Sequence, residues 1–146
     1  MIELKGITKN FGTKTAVDHL NLTLEPGTIT GFIGPNGAGK TTTIRMLCGI
    51  TRPDEGEVII NGYDMHKDPI RAKEEFGYIS DNPDLFTALK GIEYINFICD
   101  IYRVPQEERT KRLEELLDTF EMREAVGDRI SSYSHGMQQK IHIIAT

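Results

Sequence analysis

The chain has 146 residues, 38% of them hydrophobic and 27% charged, a globular composition rather than a disordered one. Its formal net charge of −5 supplies no global basic field, so a nucleic-acid partner is not expected. Cys48 and Cys99 lie far apart, each in an apolar run, and read as reduced core thiols rather than a disulfide framework.

The opening MIELKGITKNF lacks the basic segment and long apolar stretch of a secretory signal. No apolar run approaches the ~20 residues that span a bilayer. A cytosolic chain is therefore expected. In chain order, IELKGIT alternates loosely through Ile2, Leu4 and Ile7, and HLNLTLE more cleanly through Leu20, Leu22 and Leu24; both read as strands. Pro26-Gly27 marks a turn, and TITGFI follows as a short buried strand. From Lys40, residues Ile44, Leu47 and Cys48 fall at helical spacing, with Gly49 as the stop. EVIING reads as a strand ending in the turn dipeptide Asn61-Gly62. Asp68-Pro69 opens a short helix, which ends before FGYIS, predicted as another buried strand. IEYINFICDIY reads as a helix apolar on most sides. Pro105 opens the next, with Glu107 and Glu108 in its first turn and a stripe of Leu113, Leu116, Leu117 and Phe120. The predicted organisation is an αβ half over about residues 1–80, a helical half over about 85–130, and a closing loop and helix start over 131–146.

One motif carries chemistry. Gly34-Pro35-Asn36-Gly37-Ala38-Gly39-Lys40-Thr41 fits G-x-x-x-x-G-K-[ST] between a predicted strand and a predicted helix. Glycines let the backbone bend around an anion with its N–H groups inward. The following helix start adds free N–H groups and a positive dipole end. Lys40 can reach terminal phosphates, and the Thr41 hydroxyl can bind Mg²⁺. A nucleoside triphosphate is the expected ligand. No Asn-Lys-x-Asp guanine reader occurs, so ATP is preferred over GTP.

The closing YSHGMQQK resembles the signature loop of ABC-type ATPases, usually Leu-Ser-Gly-Gly-Gln, about 95 residues after the phosphate loop. Tyr133, Ser134, His135, Gly136 and Met137 take its five places, and Ser134 and Gly136 match the usual residue. KNFGTKTAVDHLNLTLEPGTITGFIGPNGAGKTT and FGYISDNPDLF are similar to the same family, and NGYDMHKDP to its bacterial drug, antibiotic or lipid exporters. The resemblance implies an α/β P-loop NTPase core with an antiparallel β subdomain and a helical subdomain. It implies that Phe11 stacks on adenine, that Gly34 to Thr42 hold the phosphates, and that Thr41 and Asp81 bind Mg²⁺. Asp81 stands where the family usually has Gln. It can ligate Mg²⁺ through oxygen but cannot donate a hydrogen bond when ionised.

In this family two ATPase domains pair head to tail, and each bound ATP is closed by the other's signature loop. The resemblance therefore implies a second ABC ATPase subunit as partner, with Ser134, His135, Gly136 and Met137 acting in trans. It also implies an integral-membrane permease subunit and a cytoplasmic location on the inner face of the cell membrane. Met137, Ile141, Ile144 and Ala145 are expected to form the buried stripe of the signature helix. The family's Asp-Glu strand and switch histidine cannot be placed before Thr146, so an incomplete domain is expected, with weak ATP binding and poor hydrolysis of its own. Two alternatives stand beside the transporter ATPase: a non-catalytic ATP-binding fragment and a soluble ABC-family ATPase.

Overall fold

The computed structural model describes residues 1–80 and 86–146, which fall into two compact units, Met1–Gly77 and Tyr78–Thr146. Among these residues no helix is long and apolar enough to cross a membrane.

The first unit is built on β1 (Ile2–Phe11) and β2 (Lys14–Leu24), paired antiparallel across a tight turn. β3 (Glu55–Ile60) pairs with the other side of β1, and β4 (Tyr63–Asp64) returns on β3, giving the antiparallel order β2-β1-β3-β4. The loose alternation in β1 has a structural cause. The ladder slips between Leu4 and Ile7 on the β2 side and between Lys5 and Thr8 on the β3 side. A bulge inverts the pleat there, so Leu4 and Ile7, three residues apart, both face the core. Gly56 is required opposite this bulge: at φ 86, a Cβ on it would lie 2.5 Å from the carbonyl oxygens of Lys5 and Gly6. Asn61 (φ 47) and Gly62 (φ 87) form the left-handed pair of a type I′ hairpin turn between β3 and β4.

α1 (Lys40–Leu47) and α2 (Pro69–Glu74) accompany this sheet. Leu4, Ile7, Val17, Val58, Ile60, Met46, Met65 and Ala72 make the core. Pro69 occupies the first helical turn as predicted, and the Asp68 side chain makes no capping hydrogen bond. α1 turns Thr43 and Met46 inward rather than the predicted Ile44, which is exposed.

Two sequence expectations fail. TITGFI is not a buried strand: residues 28–33 form no ladder, and Ile29 and Ile33 are fully exposed. FGYIS is likewise irregular over 76–80, with Tyr78 and Ile79 exposed. A strand is a property of a pair, because its N–H and C=O groups need a lateral partner. Neither segment forms a strand ladder among the described residues.

The second unit contains α3 (Gly91–Ile101), α4 (Gln106–Thr119), a 3₁₀ turn at Ile130–Ser132 and α5 (His135–Ala145). Its core is Tyr94 and Ile95 of α3, Leu117 of α4, Met122, Ile130, Tyr133, and Ile141, Ile144 and Ala145 of α5. Leu113, Leu116 and Phe120 pack against it, which is the predicted α4 stripe. α3 is only half core: Phe97 and Ile101 are exposed, and Phe97 meets Phe86 edge to face at 5.3 Å. Gly91 sits tightly under α5, where a Cβ would come within 2.4 Å of the Tyr133 hydroxyl. Both cysteines are free thiols, and burial pushes both upward in pKa.

His142 on α5 faces the Tyr94 hydroxyl, 3.1 Å from its Nδ1. Burial lowers its pKa below the usual 6.5, partly offset by a hydrogen bond with the Tyr78 backbone. A histidine depressed in the folded state binds protons more readily when unfolded. Its contribution to stability is therefore present above pH 6.5 and lost as pH falls through its folded pKa. His142→Gln is expected to flatten the loss of stability as pH falls below 6.5. Paired thermal melts of the two proteins across that range check it, and parallel curves would contradict it.

Candidate functional site

The phosphate loop leads directly into α1. Gly37 and Gly39 both lie at φ 83, and Gly39 is the residue before the helix. The first α1 hydrogen bond runs from the Thr43 amide to the Gly39 carbonyl at 2.8 Å. The amides of Lys40, Thr41 and Thr42 come before any helical acceptor and find none among the described residues. An anion is the natural partner of such a helix start.

Gly39 is fixed twice over. Its left-handed φ suits glycine, and a Cβ would lie 2.3 Å from the Ala16 carbonyl oxygen and 3.1 Å from Val17 Cγ2. The loop thus lies against the β2 backbone. Gly37 has the same φ but open space around it. The Lys40 ammonium curls back over the loop and donates to the carbonyls of Gly34 at 2.5 Å and Pro35 at 2.7 Å.

These residues line a cavity of about 380 Å³ with Phe11, Lys14, Ala16, Asn36, Gly37, Gly39, Lys40, Thr41 and Thr42 in its wall. Phe11, at the end of β1, is 55% exposed, a large apolar ring left open to solvent. The structure therefore brings Phe11 together with the phosphate loop, which begins 23 residues later in sequence at Gly34. Lys14 and Ala16 belong to the same wall but were not singled out from sequence. The available signal was pairing: Lys14 lies directly across the hairpin from Phe11, so an aromatic at this strand end brings its partner with it.

The residues fit a Mg²⁺–triphosphate in one respect. Thr41 lines the cavity and offers a hard hydroxyl oxygen, and Mg²⁺ usually takes few protein ligands beside phosphate oxygens. No group of three or more His, Cys, Asp and Glu side chains suited to a metal occurs among the described residues. Asp81 lies outside the described residues.

The signature residues belong to the second unit. Ser134 is the N-cap of α5, and its hydroxyl oxygen accepts from the Met137 amide at 3.3 Å. That bond uses a lone pair and leaves the O–H able to donate. Ser134, His135 and Gly136 are exposed, and a Cβ on Gly136 would meet nothing within 4 Å. Tyr133 differs from its neighbours. It is buried, and its hydroxyl donates to the Ala125 carbonyl at 2.6 Å, so it anchors the loop within the core. Burial, then the nearby Asp128 charge, raises its pKa.

With this geometry in hand, comparison with known proteins assigns the class. The sequence profile of the ABC transporter family matches residues 17–146, and the chain belongs to that family. It is 34% identical over 143 residues to the linearmycin resistance ATP-binding protein LnrL of Bacillus subtilis, covering 98% of this chain and 46% of that protein. The solved ATP-binding subunit of an ABC transporter superposes with TM-score 0.94 at 28% identity, covering 99% of this chain and 60% of that one. A dimeric post-hydrolysis structure of the ATP-binding cassette MJ0796, bound to ADP and Pi, matches with TM-score 0.83 at 26% identity, over 99% of this chain and 68% of the cassette. The chain spans about half the length of the curated relatives it matches.

Proposed function

We propose that this chain provides the ATP-binding half-site of an ABC transporter ATPase, which couples ATP hydrolysis in a head-to-tail dimer to movement of a substrate by a membrane permease. The observation that carries the reading is one cavity shared by Phe11, the α1 amides that find no acceptor among the described residues, and Lys40. Phe11 offers a π-face to adenine. The amides and the Lys40 ammonium receive the β- and γ-phosphates, and Thr41 holds Mg²⁺, which supplies charge neutralisation there when bound. Asp81 is assigned to the Mg²⁺ and the attacking water by resemblance alone. The relative named for linearmycin resistance supports an exporter.

Ser134 and Gly136 are assigned to the partner's γ-phosphate. Gly136 supports this because nothing in its own fold excludes a side chain. Gly136 stands in the first turn of α5, where alanine, with the higher helix propensity, is not expected to destabilise. In the intact protein, Gly136→Ala is expected to raise or preserve the melting temperature while lowering ATP hydrolysis at least tenfold. Wild-type turnover in that variant would remove the trans role. ATP titration of the intact protein tests the reading as a whole. Binding of ATP with hydrolysis supports the transporter ATPase, binding without hydrolysis supports a non-catalytic module, and no binding refutes both.

A further inference from the structure

We propose that the Lys9–Asp54 ion pair is a positioning device for the adenine platform: it sets the Lys9 ammonium against one face of Phe11 so that the other face is held ready for a base. The proposal rests on the assignment of Phe11 to adenine. Lys9 and Phe11 stand two residues apart on β1, with a register shift of the β2 ladder between Lys9 and Asn10, so the contact itself rather than the spacing shows them together. The Lys9 ammonium lies over the Phe11 ring, 5.7 Å from its centroid, a distance at which the ring's negative face attracts a cation.

Lys9 does not reach that position freely. Its side chain is largely covered, and its Nζ donates to Asp54 Oδ1 at 2.7 Å. The second carboxylate oxygen, Oδ2, accepts from the Asn10 amide at 2.7 Å, and the Asp54 amide donates to the Thr8 carbonyl at 2.8 Å. One aspartate on the loop before β3 thus grips three consecutive β1 residues beside the exposed ring. The Lys9 hydrogen bond, with that of Asn10, holds the Asp54 carboxyl below its usual pKa. Lys9 is not in the cavity wall, whereas Phe11 is. The cation therefore serves the ring rather than the ligand. An exposed aromatic that must be ordered on binding weakens affinity, and ordering it beforehand removes that cost.

The test compares ATP with inorganic tripolyphosphate on the intact protein, by titration of wild type, Lys9→Met, Asp54→Asn, Lys9→Arg, Phe11→Ala and the Lys9→Met/Phe11→Ala double variant. Lys9→Met and Asp54→Asn are expected to weaken ATP binding about 3- to 10-fold, the scale of ordering one side chain. Tripolyphosphate binding should stay within about twofold, Lys9→Arg should retain ATP affinity, and Lys9→Met should add nothing in the Phe11→Ala background. Equal weakening of ATP and tripolyphosphate would make Lys9 a mere attractor of phosphate and overturn the proposal. So would a Lys9→Met effect that persists without Phe11. If Phe11→Ala leaves ATP affinity unchanged, the adenine assignment itself falls, and the positioning role falls with it.

Discussion

Gly39→Ala is expected to destabilise the protein by about 3 kcal/mol and to reduce ATP affinity by roughly a hundredfold or more. Two separate costs add. A non-glycine residue at φ 83 carries about 1–2 kcal/mol of backbone strain. The new Cβ would also stand 2.3 Å from the Ala16 carbonyl oxygen, so the loop must move off β2 by most of an ångström. Overpacking of that kind costs about 1–3 kcal/mol. The displaced loop carries the α1 amides with it, and losing one amide hydrogen bond to a charged phosphate costs about 1.5–3 kcal/mol, roughly 10- to 150-fold in affinity, with more than one amide displaced. Gly37→Ala is the matched control. It shares the backbone angle but meets open space, so the strain cost alone is expected. Melting curves and ATP titrations of the two variants check the contrast. Equal effects at both positions would show that the β2 contact does not shape the loop.

Lys40→Met is the second large expectation: a loss of triphosphate affinity of roughly 10- to 150-fold, with adenosine binding unchanged. Methionine keeps most of the side-chain length and removes the charge. Hydrogen bonds to a charged group are worth about 1.5–3 kcal/mol, which sets the range. Lys40→Arg is expected to fail as well. The ammonium is a compact donor fitted between the Gly34 and Pro35 carbonyls, and a planar guanidinium presents a different donor geometry. Titration with ATP, ADP and adenosine in parallel separates phosphate from base recognition. Unaltered ATP affinity in Lys40→Met would contradict the role assigned to this residue.

Much of this was legible in the sequence, for physical reasons that differ by element. The phosphate loop and α1 could be read because glycine, lysine and helix spacing are local constraints. The β3–β4 turn could be read because Asn61-Gly62 encodes its own left-handed angles. The α4 stripe followed from periodicity alone. TITGFI and FGYIS were misread because a strand needs a neighbour that an apolar run does not encode, and most of the apolar side chains of these runs are exposed rather than buried. The β1 bulge was visible only as imperfect alternation, since its other half, Gly56, lies fifty residues away. The Lys9–Asp54–Phe11 arrangement escaped notice for the same reason. Tyr133 shows a different limit: resemblance placed it within the signature loop, and only the structure distinguishes the buried anchor from the exposed residues that follow.

The posture of Lys40 has a consequence for how the site meets its ligand. With its ammonium resting on two main-chain oxygens of its own loop, the cradle is internally hydrogen-bonded rather than bare, and it keeps its positive charge. Two of the ammonium's three N–H donors are used in this way, and the third stays open to a phosphate oxygen. Under the proposed assignment, a triphosphate would meet the free donor first and could then exchange with the two carbonyls, a sequence that favours a ligand with several oxygens to offer at once.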